Sequence, residues 1–166
     1  MILLDTHAWV RWLHPELGQP LPVGLREWLE IEEDTLAISV ISCLEVAQLV
    51  KKGVLTLPLP LPEWYRAALD ESGILCLPVT PAILHASTRL PDIHRDPADR
   101  IIIATTLAED ALLVTADAAI QTPCRVPWDY IPNRSYPLFQ AREALRTLCD
   151  ELRATKRPLR TTRSPT

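Results

Sequence analysis

The stretch DPADRIIIATTLAEDALLVTAD, residues 96–117, predicts one helix and one strand in immediate succession. Pro97 is typical of the first position of a helix, and the Asp96 side chain is suited to cap it. A helix is therefore predicted over residues 97–110. The apolar run 111–114 then predicts a buried strand. This order of elements is typical of a chain that returns through a helix to a parallel sheet.

The same alternation continues outward from this stretch. Further strands are predicted at residues 2–4, 36–38 and 74–77 and near 124–126, and helices at residues 8–14, 22–33, 42–53, 63–72 and 81–90. Strands that alternate with helices of about ten residues or more form parallel sheets that are covered on both faces. The sequence therefore predicts an α/β fold, with one domain over residues 1–130.

The remainder of the chain differs in composition. Apolar residues recur at helical spacing over residues 137–152, which predicts a C-terminal helical extension over residues 131–153. Residues 154–166 are rich in Pro, Thr and Arg and are expected to form a disordered basic tail. Residues 134–166 hold eight Lys and Arg against three Asp and Glu, whereas residues 1–133 hold nine against eighteen. Residues 1–133 are thus acidic overall, and residues 134–166 are basic.

Composition excludes several classes of protein. The chain has 166 residues, 48% of them hydrophobic and 23% charged, which is enough for one domain with its own core. No apolar run approaches the ~20 residues that cross a bilayer, so no membrane span is expected. The four glycines fit no phosphate-binding loop, and the four cysteines have no C-x-x-C spacing. The cysteines are interpreted as buried and reduced, and, without a basic-flanked signal peptide, a cytoplasmic location is expected.

Acidic residues follow or begin the predicted elements at equivalent places. Asp5 follows the first strand and Asp117 the fourth, and Asp99 lies in the first turn of the helix at 97–110. Ser42 and Glu45 have the spacing of a capping box, which places Glu45 in the first turn of the helix after the second strand. Because ligands of open parallel sheets bind at the carboxyl edge, these four carboxylates are predicted to converge there.

Each acid alone has a simpler explanation, as a helix cap or as a partner of the helix dipole. Four acids at one edge need a further explanation, because bringing like charges together costs free energy unless a cation or protons neutralise them. Ligand sets made only of oxygen favour hard cations such as Mg²⁺ or Mn²⁺. A divalent metal site is therefore predicted.

The chain resembles a PIN domain, and closely resembles the VapC-like ribonuclease toxins of type II toxin–antitoxin pairs. The resemblance lies in residues 3–7 (LLDTH), 39–45 (SVISCLE), 52–58 (KGVLTLP), 94–104 (HRDPADRIIIA) and 113–117 (LVTAD). Together these motifs span about residues 1–128, in the order and spacing of the family. The resemblance implies a three-layer α/β/α sandwich with a central parallel sheet of four to five strands.

The resemblance also implies the roles of individual residues. The acidic metal-binding and catalytic residues would be Asp5, Glu45, Asp99 and Asp117, and the supporting residues would be Thr6, Asp96, Thr115 and Arg100. The two threonine hydroxyls would brace the carboxylates. Arg100 would pair with a carboxylate or contact an RNA phosphate, and the structural pairing is favoured.

The implied activity is Mg²⁺- or Mn²⁺-dependent endoribonucleolytic hydrolysis of RNA without a side-chain nucleophile. The implied partners are the RNA substrate, a cognate antitoxin protein and a second copy of the chain in a homodimer. The basic tail is a candidate for additional phosphate contacts, and a solvated tail without that role is the alternative.

Two other functional classes are alternatives. A non-catalytic PIN-fold module would only hold RNA or a protein, and the presence of all four acids argues against it. A phosphotransfer domain would need a second acid two residues after Asp5, where this chain has His7, or a lysine after a strand, which it lacks. The ribonuclease is therefore the leading hypothesis.

Overall fold

The computed structural model describes residues 1–31, 34–90 and 95–115, together with the backbone of the strand at 125–127. Five strands form one sheet in the order β3-β2-β1-β4-β5, and every neighbouring pair is parallel. The strands are β1 (Ile2–Leu4), β2 (Leu36–Ser39), β3 (Leu75–Leu77), β4 (Leu112–Thr115) and β5 (Arg125–Pro127). The predicted α/β fold with a central parallel sheet is confirmed. The predicted extension at 131–153 and tail at 154–166 lie outside the described residues.

Six α-helices connect or flank the described strands. They are α1 (Thr6–Leu13), α2 (Val23–Ile31), α3 (Val40–Lys51), α4 (Leu61–Arg66), α5 (Pro81–Arg89) and α6 (Pro97–Glu109). Where one helix was predicted at 63–72, α4 continues into a π-helical turn, Ala67–Glu71. None of the helices in the described ranges is both long and apolar enough to span a membrane.

The sheet separates two apolar cores. Successive side chains of a strand point to opposite faces, so Ile2 and Leu4 join one core and Leu3 joins the other. The first core contains the fully buried Trp9, from α1, and Trp64, from α4, with ring centroids 4.8 Å apart. The second core is formed with α5 and α6. Helices on both faces of one sheet make the three-layer sandwich that was predicted.

The order of the strands locates the edge where a ligand would bind. β1 is central, with β2 on one side and β4 on the other. The chain leaves β1 towards β2 and β3 and later crosses to β4 and β5, so the direction of winding reverses between β1 and β4. In open parallel sheets, ligands bind at the carboxyl ends of the strands at such a switch point. Asp5 follows β1 at this position.

The start of α3 differs from the prediction. β2 passes directly into α3 at Val40, so Ser39 is the N-cap and Ser42 lies inside the helix. Ser42 is fully buried, and its hydroxyl has no hydrogen-bond partner among the described residues. The predicted capping box is therefore wrong. Glu45 lies in the second turn of α3 instead of the first.

The interpretation of the cysteines as buried is wrong for Cys76, which is exposed because β3 is an edge strand. Cys43 is half-buried, and its burial, together with the neighbouring Cys76 thiol, raises its pKa to about 12. Both thiols are free. Cys124 and Cys149 lie outside the described residues.

Candidate functional site

Asp5 is held at the junction of β1 and α1. Its backbone N–H donates to the carbonyl oxygen of Val114, 3.0 Å away, which extends the pairing with β4 by one residue. Its Oδ1 accepts from the backbone N–H of Ala8 at 2.6 Å and so caps α1. The residue is 7% exposed. The cap fixes the carboxylate at the carboxyl edge of the sheet.

Thr6 links this junction to α3. Its Oγ1 donates to Oε2 of Glu45 over 2.5 Å. Thr6 is buried and Glu45 is half-buried. A hydroxyl that donates to a carboxylate stabilises its charged form. Thr6 follows Asp5 directly in the chain. The structure therefore places Glu45 beside the first turn of α1.

Glu45 lies in an acidic environment. Burial raises the pKa of its carboxyl, and the negative charges of Asp99 and Asp96 raise it further. The Thr6 hydrogen bond and the nearby His7 act in the opposite direction and lower this pKa. Asp99 and Asp96 are thus close enough to Glu45 for their charges to repel its charge.

The two aspartates at the start of α6 have different local roles. Asp96 is exposed and caps the helix, because its Oδ1 accepts from the N–H of Ala98 at 2.8 Å. Asp99 is half-buried in the first turn. Thr115 ends β4 and is fully buried. Asp117 lies outside the described residues.

Glu45 thus bonds to Thr6, and the charges of Asp96 and Asp99 act on it. Within the ranges 1–31, 34–90 and 95–115, no group of three or more His, Cys, Asp or Glu side chains is placed so that it could hold a metal ion. The donors that do gather here are carboxylate oxygens, and such donors suit a hard divalent cation better than a soft one.

Arg100 bonds to the backbone of the neighbouring helix. Its Nε donates to the carbonyl oxygen of Ser87 at 2.9 Å, and its Nη2 donates to that of Leu90 at 2.6 Å. Both carbonyls belong to the carboxyl end of α5, where such groups lack partners within their own helix. Arg100 therefore ties the end of α5 to the first turn of α6, directly beside Asp99.

We expect Arg100→Ala to lower the free energy of unfolding by about 2 kcal/mol, because two charge-assisted hydrogen bonds to helix-end carbonyls are lost. Urea unfolding at neutral pH would measure this change. Arg66→Ala is the matched control, since Arg66 is exposed and makes one surface ion pair with Glu71 at 3.6 Å. That substitution is expected to cost less than about 1 kcal/mol. Equal losses in the two variants would contradict the clamping role of Arg100.

Two features were not predicted from the sequence. The first is an electrostatic interaction between the exposed His7 and Glu45. The position of His7 two residues after Asp5, within the first turn of α1, is the signal that was available. The second feature is a hydrogen bond between the Ser39 and Thr105 hydroxyls, which joins the end of β2 to α6. No local pattern marks it.

The fold and these residues define an α/β domain with Asp5 at the switch point of a parallel sheet. A family model for the PIN domain matches residues 2–125, and the chain belongs to this family. The resemblance to VapC-like proteins is also confirmed. The chain is 28% identical over 123 residues to Ribonuclease VapC22 of Mycobacterium tuberculosis, a match that covers 73% of this chain and 90% of the relative.

Two solved structures share the fold. A chain in the structure of FitAB bound to an IR36 DNA fragment has a TM-score of 0.58 and 17% identity, and the match covers 81% of this chain and 100% of the other. A chain of a toxin–antitoxin complex from Klebsiella pneumoniae has a TM-score of 0.55 and 23% identity, with 79% and 100% covered.

Proposed function

We propose that this protein is a metal-dependent endoribonuclease that hydrolyses RNA phosphodiester bonds as the toxin of a type II toxin–antitoxin pair. The observation that carries the proposal is the hydrogen bond from Thr6, which follows Asp5 at the carboxyl edge of the sheet, to the half-buried Glu45. The negative charges of Asp99 and Asp96 act on the same carboxylate. Membership of the PIN family and similarity to a protein named as a ribonuclease support the same activity.

In this proposal Asp5, Glu45 and Asp99, together with Asp117, would hold Mg²⁺ or Mn²⁺. A bound ion of this kind stabilises negative charge on a phosphate and makes a coordinated water more acidic. Cation binding requires the ionised carboxylate, and the Thr6 hydrogen bond favours that form of Glu45. The helix cap holds the Asp5 carboxylate in one orientation, so little ordering remains to be done when a ligand binds.

The proposed partners follow from the same relatives. The structure from Klebsiella pneumoniae is described as a toxin–antitoxin complex, and we propose that this chain likewise binds a cognate antitoxin. We further propose that it acts on RNA in the cytoplasm and forms a homodimer.

RNA cleavage with and without divalent metal tests the proposal. We expect the wild-type protein to cut RNA in Mg²⁺ or Mn²⁺, to lose cleavage in EDTA, and to recover it when metal is added back. Cleavage that resists EDTA would contradict the metal-dependent mechanism. If the folded protein cuts none of several RNAs with either metal, it is instead the non-catalytic PIN-fold module.

A further inference from the structure

Two fully buried hydroxyl groups meet between β2 and α6. The Oγ of Ser39 lies 3.2 Å from the Oγ1 of Thr105, and both residues have no exposed surface. The Thr105 hydroxyl has a single proton, which it donates to the carbonyl oxygen of Ile101 at 2.8 Å. Ser39 is therefore the donor, and Thr105 is the acceptor.

This use of Ser39 is unusual for its position. Ser39 is the N-cap of α3, and an N-cap serine commonly accepts a hydrogen bond from the start of its own helix. Here the side chain makes no such bond and is directed to α6 instead. Ser39 therefore bonds to α6 instead of capping its own helix, α3.

In the sequence, Ser39 and Thr105 are each six positions away from one of the acidic residues. Glu45 follows Ser39 by six positions on α3, and Asp99 precedes Thr105 by six positions on α6. Six residues correspond to about 9 Å of helix. Ser39 contacts Thr105, α3 packs against α6, and the negative charge of Asp99 acts on Glu45. The two segments therefore lie side by side in opposite directions, with the hydroxyl pair at one end and the carboxylates at the other.

We propose that the Ser39–Thr105 hydrogen bond is a positioning pair that sets the separation between Glu45 and Asp99. This role deepens the proposed metal-dependent function and rests on it. Without the Thr105 hydroxyl, Ser39 can turn to cap α3, and the first turn of α6 loses its fixed distance from Glu45. Neither hydroxyl would touch a bound ion or RNA.

The neighbouring residue supplies a matched control. Thr106 is also fully buried, and its hydroxyl also donates to a carbonyl one turn back, that of Ile102 at 2.9 Å. Within the part of the chain that the structure describes, its hydroxyl has no partner on another element. Thr105→Val and Thr106→Val therefore make the same chemical change and remove the same local bond, and only the first removes the bond to Ser39.

Binding of Mn²⁺ without RNA, measured by calorimetry, is the first readout. We expect Thr105→Val to weaken Mn²⁺ binding by about 10-fold, as is found when supporting residues of metal sites are lost. Thr106→Val is expected to bind as the wild type does. Thr105→Ser, which keeps the hydroxyl, is expected to restore most of the affinity.

Amide hydrogen exchange in metal-free protein is the second readout, at the first turn of α6 (residues 98–101). We expect faster exchange there in Thr105→Val than in Thr106→Val. The proposal is overturned if the two variants exchange alike at this turn, or if Thr105→Val binds Mn²⁺ as tightly as the wild type. If the wild type itself binds no Mn²⁺, the proposed metal-dependent function fails, and the exchange comparison alone decides the positioning role.

Discussion

Replacing Asp99 with asparagine is expected to slow RNA cleavage by about 1,000-fold, because asparagine keeps the size of the side chain and removes its charge. In the proposed mechanism a bound cation supplies several kcal/mol of charge stabilisation in the transition state. Loss of about 4 kcal/mol of this stabilisation corresponds to about 1,000-fold in rate. The fold is expected to persist, since Asp99 is half-buried at the start of α6 and its loss relieves repulsion with Glu45.

Single-turnover cleavage of RNA at saturating Mg²⁺ would measure this loss, with thermal unfolding as a check on folding. Asp96→Asn is the matched control. It makes the same chemical change three residues away, also near Glu45, and asparagine caps a helix as well as aspartate does. We expect Asp96→Asn to cost less than about 10-fold, in keeping with a supporting role. If both variants lose activity equally, Asp99 contributes only general negative charge.

The parts of the fold that the sequence predicts are those governed by local pattern. The apolar run Ile2–Leu4 forms the central strand, and the Asp96–Pro97 pair begins α6 as predicted. Each of these signals comes from residues that are close together in the sequence, within a single helical turn or a single strand. The parallel sheet follows from the alternation of such elements, because parallel strands need a long crossover between them.

The start of α3 shows where local pattern fails. Ser42 and Glu45 have capping-box spacing, but Ser42 is buried inside a helix that continues directly from β2. Tertiary packing overrides the local signal here, since β2 passes directly into α3 and Ser42 lies inside the helix. The cap belongs to Ser39, whose side chain bonds elsewhere.

The contacts of the candidate site depend on packing between distant segments. The sequence predicts that acids gather at one edge of the sheet. It does not predict the Thr6–Glu45 hydrogen bond, because this bond joins two residues that lie far apart in the chain, on α1 and α3. Arg100 likewise bonds to backbone carbonyls at the end of α5, and carbonyls carry no signature in a sequence. The assignment of Asp5, Glu45, Asp99 and Asp117 as metal ligands stays a prediction.

The second large effect is expected at Glu45, where Glu45→Gln should stabilise the metal-free protein and slow RNA cleavage. Burial raises the pKa of this carboxyl in the folded state, as do the charges of Asp99 and Asp96. Below the pKa of the unfolded chain, Glu45 is protonated in both states and costs nothing. Between the pKa of the unfolded chain and the raised pKa of the folded state, the unfolded chain ionises while the folded protein stays protonated, so the wild type loses stability as the pH rises.

The stability difference between Glu45→Gln and the wild type should therefore be small in acid, grow as the pH rises, and level off above the folded-state pKa of Glu45. Urea unfolding in EDTA across this pH range would measure it. Glutamine still offers an oxygen to the Thr6 hydroxyl, so that hydrogen bond is retained. Glu27→Gln, which makes the same chemical change at an exposed residue of α2, is the control.

A divalent cation should reverse the order of stability. Mg²⁺ or Mn²⁺ that binds only the folded state stabilises the wild type by mass action, and it stabilises Glu45→Gln less because one anionic ligand is missing. RNA cleavage by Glu45→Gln is expected to fall by about 100-fold, equivalent to about 3 kcal/mol of lost charge stabilisation. A carboxylate that weakens the metal-free fold and strengthens the metal-bound one is acting as a cation ligand. If the wild type stays less stable than Glu45→Gln at saturating Mn²⁺, then Glu45 does not bind the ion.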